Sequence, residues 1–368
     1  MSANPAMMGG AQSTLGTRDG RIGVPIPARW RTGQIVVTAF IVLLAIWYNL
    51  AGYKSPAGES GLADGVTLYD QVGFLLLIAL TWLTTPTAGT IAMTTWQEAV
   101  RRRWMTALLA FALVLLALST FFTWMQPGTQ EKFLRDFGLG FTIIITMLMA
   151  IFLGVALVPP EIERRTIFTI LSKPVNRGEF LLGKFLGLCL TLLINLALMS
   201  LMFLLSYIWF AARQPNGLSG ALQVMPQAGH PGLLFELGNL SRALILHFGQ
   251  LTIMAALALT MSLIASNIAA IVLCFMVYFF GQASSYWEHL AGESGAASGN
   301  RGLSGPIQSV VKTIYFVIPR LDRFDVRERL VNDMPVAFNY MWRAFGSGLM
   351  YVALLLTVAY WIFSDREF

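Results

Sequence analysis

Charge is what this chain has least of. Only 12% of its 368 residues are Asp, Glu, Lys or Arg, where a soluble protein of this length carries about a quarter. Together with 56% hydrophobic residues and a mean hydropathy of +0.65, the shortfall excludes an ordinary soluble domain and puts the chain in the membrane class. Cysteine is nearly missing. Cys189 and Cys274 both sit inside apolar runs, which excludes a disulfide framework or a cysteine-based metal site. The three histidines, His230, His247 and His289, are too scattered to read as a metal cluster. No His-Glu zinc pattern, nucleophile elbow or dinucleotide fingerprint is present, so neither a catalytic nor a metal site is expected.

One near miss concerns phosphate binding. Gly178, Gly183 and Lys184 satisfy the opening of a phosphate loop, but Phe185 follows where Ser or Thr must ligate magnesium, and no strand precedes it. The chain therefore has no visible means of hydrolysing ATP. Gly183 and Gly187, four residues apart, read instead as a close helix-packing face. Ionisable residues are scarce inside the apolar runs, with Lys184 near the end of one and His247 near the start of another. That scarcity argues against an ion-coupled carrier, which places such groups at membrane depth. His247 with Gln250 reads as a histidine buried against a neighbouring helix, the alternative being that the pair lines a path. The net charge of +6 forms no long basic stripe, so no nucleic-acid partner is expected.

What the chain has in abundance is apolar runs of about 20 residues, the length that crosses a bilayer as a helix. Eight qualify: 33–53, 71–93, 105–125, 139–158, 182–209, 243–264, 266–284 and 345–364. The second is the weakest, because Pro86 and a Thr-rich run interrupt it. The fold class is an all-α polytopic membrane protein with about eight transmembrane helices. Residues 1–32 read as a disordered cytoplasmic tail and not as a cleavable signal. Lys and Arg set the orientation. With the N-terminus inside, thirteen fall on the inner side, among them Arg101 to Arg103, Arg164 and Arg165. The short outer loops hold five, Lys54, Lys132, Arg135, Arg213 and Arg242. Both termini are expected in the cytoplasm of a cell whose inner (plasma) membrane holds the protein. Loop 285–344 then lies outside, and its default reading is a solvated structural cap.

Two amphipathic pieces face the cytoplasm. In TTWQEAVRRRW, Thr95 and Glu98 have the form of a capping box. Trp96, Val100 and Trp104 share one helical face and Arg101, Arg102 and Arg103 cover the remainder, as in a helix lying at the headgroup level of the lipid membrane. The second, PPEIERRTIFTILSKPVNRGEFLLGKFLG over residues 159–187, is the most charge-dense run in the chain. Pro159 and Pro160 end one span; Glu161 and Glu163 sit at the positive N-terminal end of a short helix. Glu161 and Arg165 are four apart in the favourable order. Ile167, Ile170 and Leu171 form an apolar patch beside a polar row of Thr166, Thr169 and Ser172. Pro174 stops that helix, and Asn176 with Glu179 resembles a cap for the next.

The run EIERRTIFTILSKPVNRGEFLLGKFLG resembles the cytoplasmic loop of ABC-2 type transporter permeases, most nearly the branch of copper-enzyme (nitrous oxide reductase) maturation and gliding-motility permeases. WQEAVRRRW, IPRLDRFD and the terminal FSDREF support the resemblance by order and spacing, and it covers 94–368. It implies a six-helix core over 94–368 with an N-terminal two-helix extension over 33–93, and with elbow and coupling helices on the cytoplasmic side. It implies that Glu161, Glu163, Arg164, Arg165, Thr166 and Thr169 contact a soluble ABC ATPase subunit. Trp96, Arg101, Arg102, Arg103 and Trp104 would form the elbow. This chain would hold no cofactor; ATP and magnesium would be bound by that partner, and a second permease copy or homologue would complete a dimer. The expected function is the permease subunit of an ABC transporter with an unknown substrate. Its rivals are an ATP-independent channel or carrier, and a non-transporting scaffold with an extracytoplasmic partner at 285–344.

Overall fold

Among the described residues the first long helix is α1 (Pro86–Val100). The computed structural model describes residues 86–122, 130–157, 177–213, 233–283, 319–332, 334 and 336–365, together with Ala39, Val42 and Leu43. α2 (Arg103–Phe122), α3 (Gln130–Leu157), α4 (Arg177–Ala212), α5 (Leu233–Ile264), α6 (Asn267–Gln282) and α8 (Phe338–Asp365) follow. A 3-10 turn at Asp322–Phe324 and the short α7 (Arg327–Val331) precede α8. Among the described residues every regular element is helical. Five of them (α2, α3, α4, α5 and α8) contain stretches long and apolar enough to cross a membrane, while α6 is apolar but only 16 residues.

Burial sorts the bundle. Within the most apolar window, 78% of α5 and 67% of α3 is buried, against 22% for α2 and for α8. α5 and α3 are therefore the centre and α2 and α8 the rim. Small residues let the centre close up: Ala255, Ala256 and Ala258 of α5 are fully buried, and a methyl group on Gly154 of α3 would stand 2.5 Å from Ala258 Cβ. α4 has 36 residues, about 54 Å at 1.5 Å per residue, well beyond the ~30 Å hydrocarbon layer.

Several sequence expectations need correction. Thr95 to Trp104 is not one helix: α1 stops at Val100 and α2 starts at Arg103, so Trp96 and Trp104 stand on different elements. Nor does Thr95 cap a helix. It lies in the third turn of α1, where the backbone N–H groups are already bonded within the helix, and its buried hydroxyl has no hydrogen-bond partner. Glu98 is thereby released for other partners. The spans expected at 139–158 and 243–264 begin earlier, at Gln130 and Leu233, and the last begins at Phe338. Their added turns carry Glu131, Lys132, Arg135, Asp136, Glu236 and Arg242, charges that lower hydropathy without breaking a helix. Residues 319–332 are no solvated cap: Leu321, Phe324, Val326 and Leu330 are all buried. Apart from Ala39, Val42 and Leu43, the span 33–53 lies outside the described residues, as do 71–85, the segment 158–176 and most of loop 285–344.

Candidate functional site

The two ends of the bundle are built differently, and the first is the end where α3 leaves at Leu157 and α4 enters at Arg177. α1 runs beside the opening turns of α4 in the same direction, since contacts advance together along both. Thr87 Oγ1 donates to Glu179 Oε2 at 2.6 Å. Next, Ile91 and the Ala88 carbonyl meet Gly183, and the Ala92 carbonyl and Thr95 meet Gly187. The face of α1 that makes this contact is Ala88, Ala92, Thr95 and Ala99, all buried. Two glycines on one helix and small side chains on the other bring the backbones together, the arrangement familiar from membrane helix pairs.

Charges fasten the same junction. Glu98 pairs with Arg102 at 2.8 Å and with Lys184 at 3.6 Å, and Lys184 is buried inside α4. Arg102 also donates to the Ala156 carbonyl at 3.0 Å. That carbonyl lies in the last turn of α3, where the helix supplies no N–H donor of its own. Arg177 does likewise for α8, donating to the Ser364 carbonyl at 2.8 Å and the Phe363 carbonyl at 3.4 Å. Phe180 stacks on Phe363 at 5.9 Å between ring centroids. The first turn of α4 is thus gripped by α1 on one side and the end of α8 on the other.

A double-mutant cycle tests the charge arrangement. Glu98→Ala removes the carboxylate from a buried ammonium, and Glu98 is 44% exposed, so screening limits the cost to roughly 1 kcal/mol. Lys184→Met in the same chain should recover most of that loss, because no buried ammonium is then left short of the Glu98 carboxylate. Additive effects on the thermal unfolding midpoint in detergent would contradict the pairing.

Of the residues singled out by sequence, Glu161, Glu163, Arg164, Arg165, Thr166 and Thr169 lie outside the described residues. Trp96 is half-buried, and Arg101, Arg103 and Trp104 are exposed. Trp104 meets Phe152 of α3 edge-on at 6.3 Å. Gly183 and Lys184, read against a phosphate loop, are both interior to α4.

At the opposite end the residues that sequence reasoning missed come together. Residues 319–332 fold back onto α3, α5, α6 and α8. Phe324 sits against Gly249 of α5 and Gly348 of α8 and meets Phe345 edge-on at 6.5 Å. Leu321 N–H donates to the Gly281 carbonyl at 3.2 Å. Arg135, buried, donates to the Leu330 carbonyl at 3.2 Å and pairs with Glu131. The Tyr207 hydroxyl of α4 stands between Glu131 Oε1, at 2.8 Å, and Glu236 Oε2, tying α4 to α3 and α5.

From this segment a chain of side chains enters the bundle. Asp325 Oδ2 accepts from Gln282 Nε2, and Gln282 Oε1 accepts from Gln250 Nε2 at 3.1 Å. Gln250 Oε1 faces His247 Nδ1 at 3.1 Å, and His247 Nε2 faces Thr146 Oγ1 at 2.8 Å. Gln250 and His247 are essentially inaccessible, at 0% and 2% exposure. The only earlier signal was the i, i+3 spacing of His247 and Gln250. Gln282 and Asp325 carry no local pattern that points to them. Among the described residues no three His, Cys, Asp or Glu side chains gather to hold a metal.

Comparison with known proteins follows this geometry. The family model described as ABC-2 family transporter protein matches residues 31–368, taking in 33–93 as well as 94–368. No curated protein matches the chain.

Proposed function

The chain belongs to the ABC-2 transporter family, and from that premise we propose that it is a permease subunit driven by a separate soluble ATPase subunit. Its described helices and family make it an integral membrane component of an ABC transporter. In the proposed arrangement the 157/177 end faces the cytoplasm, and Glu161 to Ser172 form the helix on which the ATPase docks. ATP and magnesium stay in that partner. A second permease copy or homologue completes the transporter, and 33–93 adds a hairpin to the six-helix core.

The observation that carries this reading is the grip on Arg177. α4 follows the docking segment by a few residues, and its opening turns are held by Thr87 and the last carbonyls of α8 at Glu179 and Arg177 and by Glu98 at Lys184. A force arriving before Arg177 therefore moves α4 together with α1 and the end of α8. α4 is a continuous helix to Ala212, so it carries that displacement to Tyr207 and through its hydroxyl to Glu131 and Glu236. Power transmission needs a stiff element fixed to its neighbours at both ends, and α4 has both attachments.

Glu161→Lys with Glu163→Lys tests the docking claim. Reversing two charges at a helix N-terminus replaces favourable dipole interactions with repulsive ones and removes complementarity to a basic partner surface. ATPase co-purification with the permease should be lost while the permease itself still reaches the membrane. Undiminished co-purification and transport would sink the proposal.

A further inference from the structure

We infer that residues 319–332 are the outer closure of this permease, with Asp325 as its latch and His247, Gln250 and Gln282 as the residues that position the latch. The inference rests on the orientation proposed above, which puts this end outside the cell. The segment contributes Leu321, Phe324, Val326 and Leu330 to the apolar interior, and it packs against both central helices, on the opening turns of α3 at Arg135 and Gly140 and at the middle of α5 at Gly249. Apolar seating alone would hold it without a polar chain. A row of buried amides and an imidazole in an apolar bundle is costly unless every group finds a partner.

The chain has a direction. Asp325 is an acceptor, so Gln282 turns its NH2 outward and its carbonyl inward. Gln250 must then present its NH2 to Gln282, which leaves its carbonyl to accept from His247 Nδ1–H. His247 Nε2 is left facing the Thr146 hydroxyl. Side-chain amides pass such an orientation along, but they are poor proton carriers, because moving a proton through one requires an unstable tautomer. The chain is therefore a positioning device and not a proton path. It links four separate elements: Thr146 is on α3, His247 and Gln250 on α5, Gln282 on α6 and Asp325 on the segment. A slide of α3 against α5 would part Thr146 from His247 and free the imidazole and the Gln250 amide to move, loosening the chain that holds Gln282 against Asp325. Other polar contacts here each engage a single helix, as where Arg135 of α3 donates to the Leu330 carbonyl and Leu321 N–H to the Gly281 carbonyl of α6. Arg327 and Asp136, at 3.4 Å, form an exposed pair of small worth, while Tyr340 donates to the Arg323 carbonyl at 2.7 Å and Arg242 to the Val336 carbonyl at 3.2 Å.

Accessibility of a buried position in the segment reads the latch directly. Val326→Cys, 2% exposed as valine, in a chain with Cys189 and Cys274 replaced by alanine, would be labelled in intact cells with a membrane-impermeant maleimide. With the latch intact, labelling should be slow. Asp325→Ala should raise it about tenfold to a hundredfold, the equilibrium shift carried by a charge-assisted hydrogen bond. Asp325→Asn should stay better protected than Asp325→Ala, because its one carbonyl oxygen can still accept from the Gln282 amide while only the Arg327 N–H bond to the other Asp325 oxygen is lost. His247→Ala should raise labelling without touching the segment. If that variant does not accumulate, Thr146→Val keeps the side-chain shape and should still raise labelling severalfold. Unchanged labelling in Asp325→Ala, or in both His247→Ala and Thr146→Val, would overturn the latch. So would Asp325→Asn labelling as fast as Asp325→Ala. Reactivity that appears only after permeabilisation would overturn the outward placement. The assay needs neither the ATPase nor transport, so its failure is distinguishable from loss of ATPase docking.

Discussion

Gly187→Val is expected to part α1 from α4 and to leave a protein that unfolds well below the wild-type temperature. A Cβ at this position would stand 2.6 Å from the Ala92 carbonyl oxygen and 2.6 Å from Thr95 Cβ. Neither neighbour can turn aside as a flexible side-chain tip can. One is a backbone atom of α1 and the other is attached directly to that backbone, so relief requires the helices to separate. Overpacking typically costs about 1–3 kcal/mol, and a clash with backbone falls at the upper end. Against a total stability of about 5–15 kcal/mol, that is a large fraction. Separation would also draw Glu98 away from Lys184, adding the loss of a buried cation's partner. Gly238→Ala is the control. It lies in α5 with nothing within 4 Å of the added carbon, and alanine favours a helix over glycine by about 1 kcal/mol. Thermal unfolding in detergent should therefore move in opposite directions for the two variants. Similar midpoints would mean that α1 does not depend on this contact.

The second large effect is at the other end. Phe324→Ala should destabilise by about 3–5 kcal/mol, the usual cost of deleting a buried aromatic. Phe324 is 2% exposed, and its pocket is walled by glycines that cannot fill the void. A methyl group on Gly249 would point at Phe324 Cε1 from 2.7 Å and at Phe345 Cε1 from 2.9 Å. Gly249→Val is thus harmful alone, through overpacking, yet in the Phe324→Ala chain its methyls enter the vacated space. The double variant should be more stable than the sum of the two losses implies, since residues in contact are not additive. Strict additivity in the unfolding midpoints would show that the ring is not seated there.

How much of this was legible beforehand depends on the kind of signal. The apolar runs at 105–125, 139–158, 182–209, 243–264, 266–284 and 345–364 each fall on a helix, because a long uncharged run has few ways to satisfy its backbone in lipid other than as a helix. Helix starts were less legible. Hydropathy falls at Glu131, Lys132 and Asp136, but Arg135 and Glu131 pair within the helix and extend it. The single helix expected over 95–104 breaks at Arg101 and Arg102, where hydropathy was again a poor guide. Tryptophans at helical spacing are the loud feature there, whereas the packing is done by the quiet series Ala88, Ala92, Thr95 and Ala99. Small residues carry little hydropathy, and their value appears only once Gly183 and Gly187 are opposite.

By itself the sequence determined a helical membrane protein, its central spans and, through its charge-dense run at 159–187, a permease family. Those properties are local, because each depends on the composition of one continuous stretch and on the chemistry of the bilayer around it. Only the tertiary structure decided that α5 and α3 form the centre, that α4 is gripped at Arg177, and that Asp325 reaches His247 through two glutamines. Each of these depends on side chains from elements far apart in the chain meeting within hydrogen-bonding or van der Waals range. No periodicity along a single stretch encodes such a meeting.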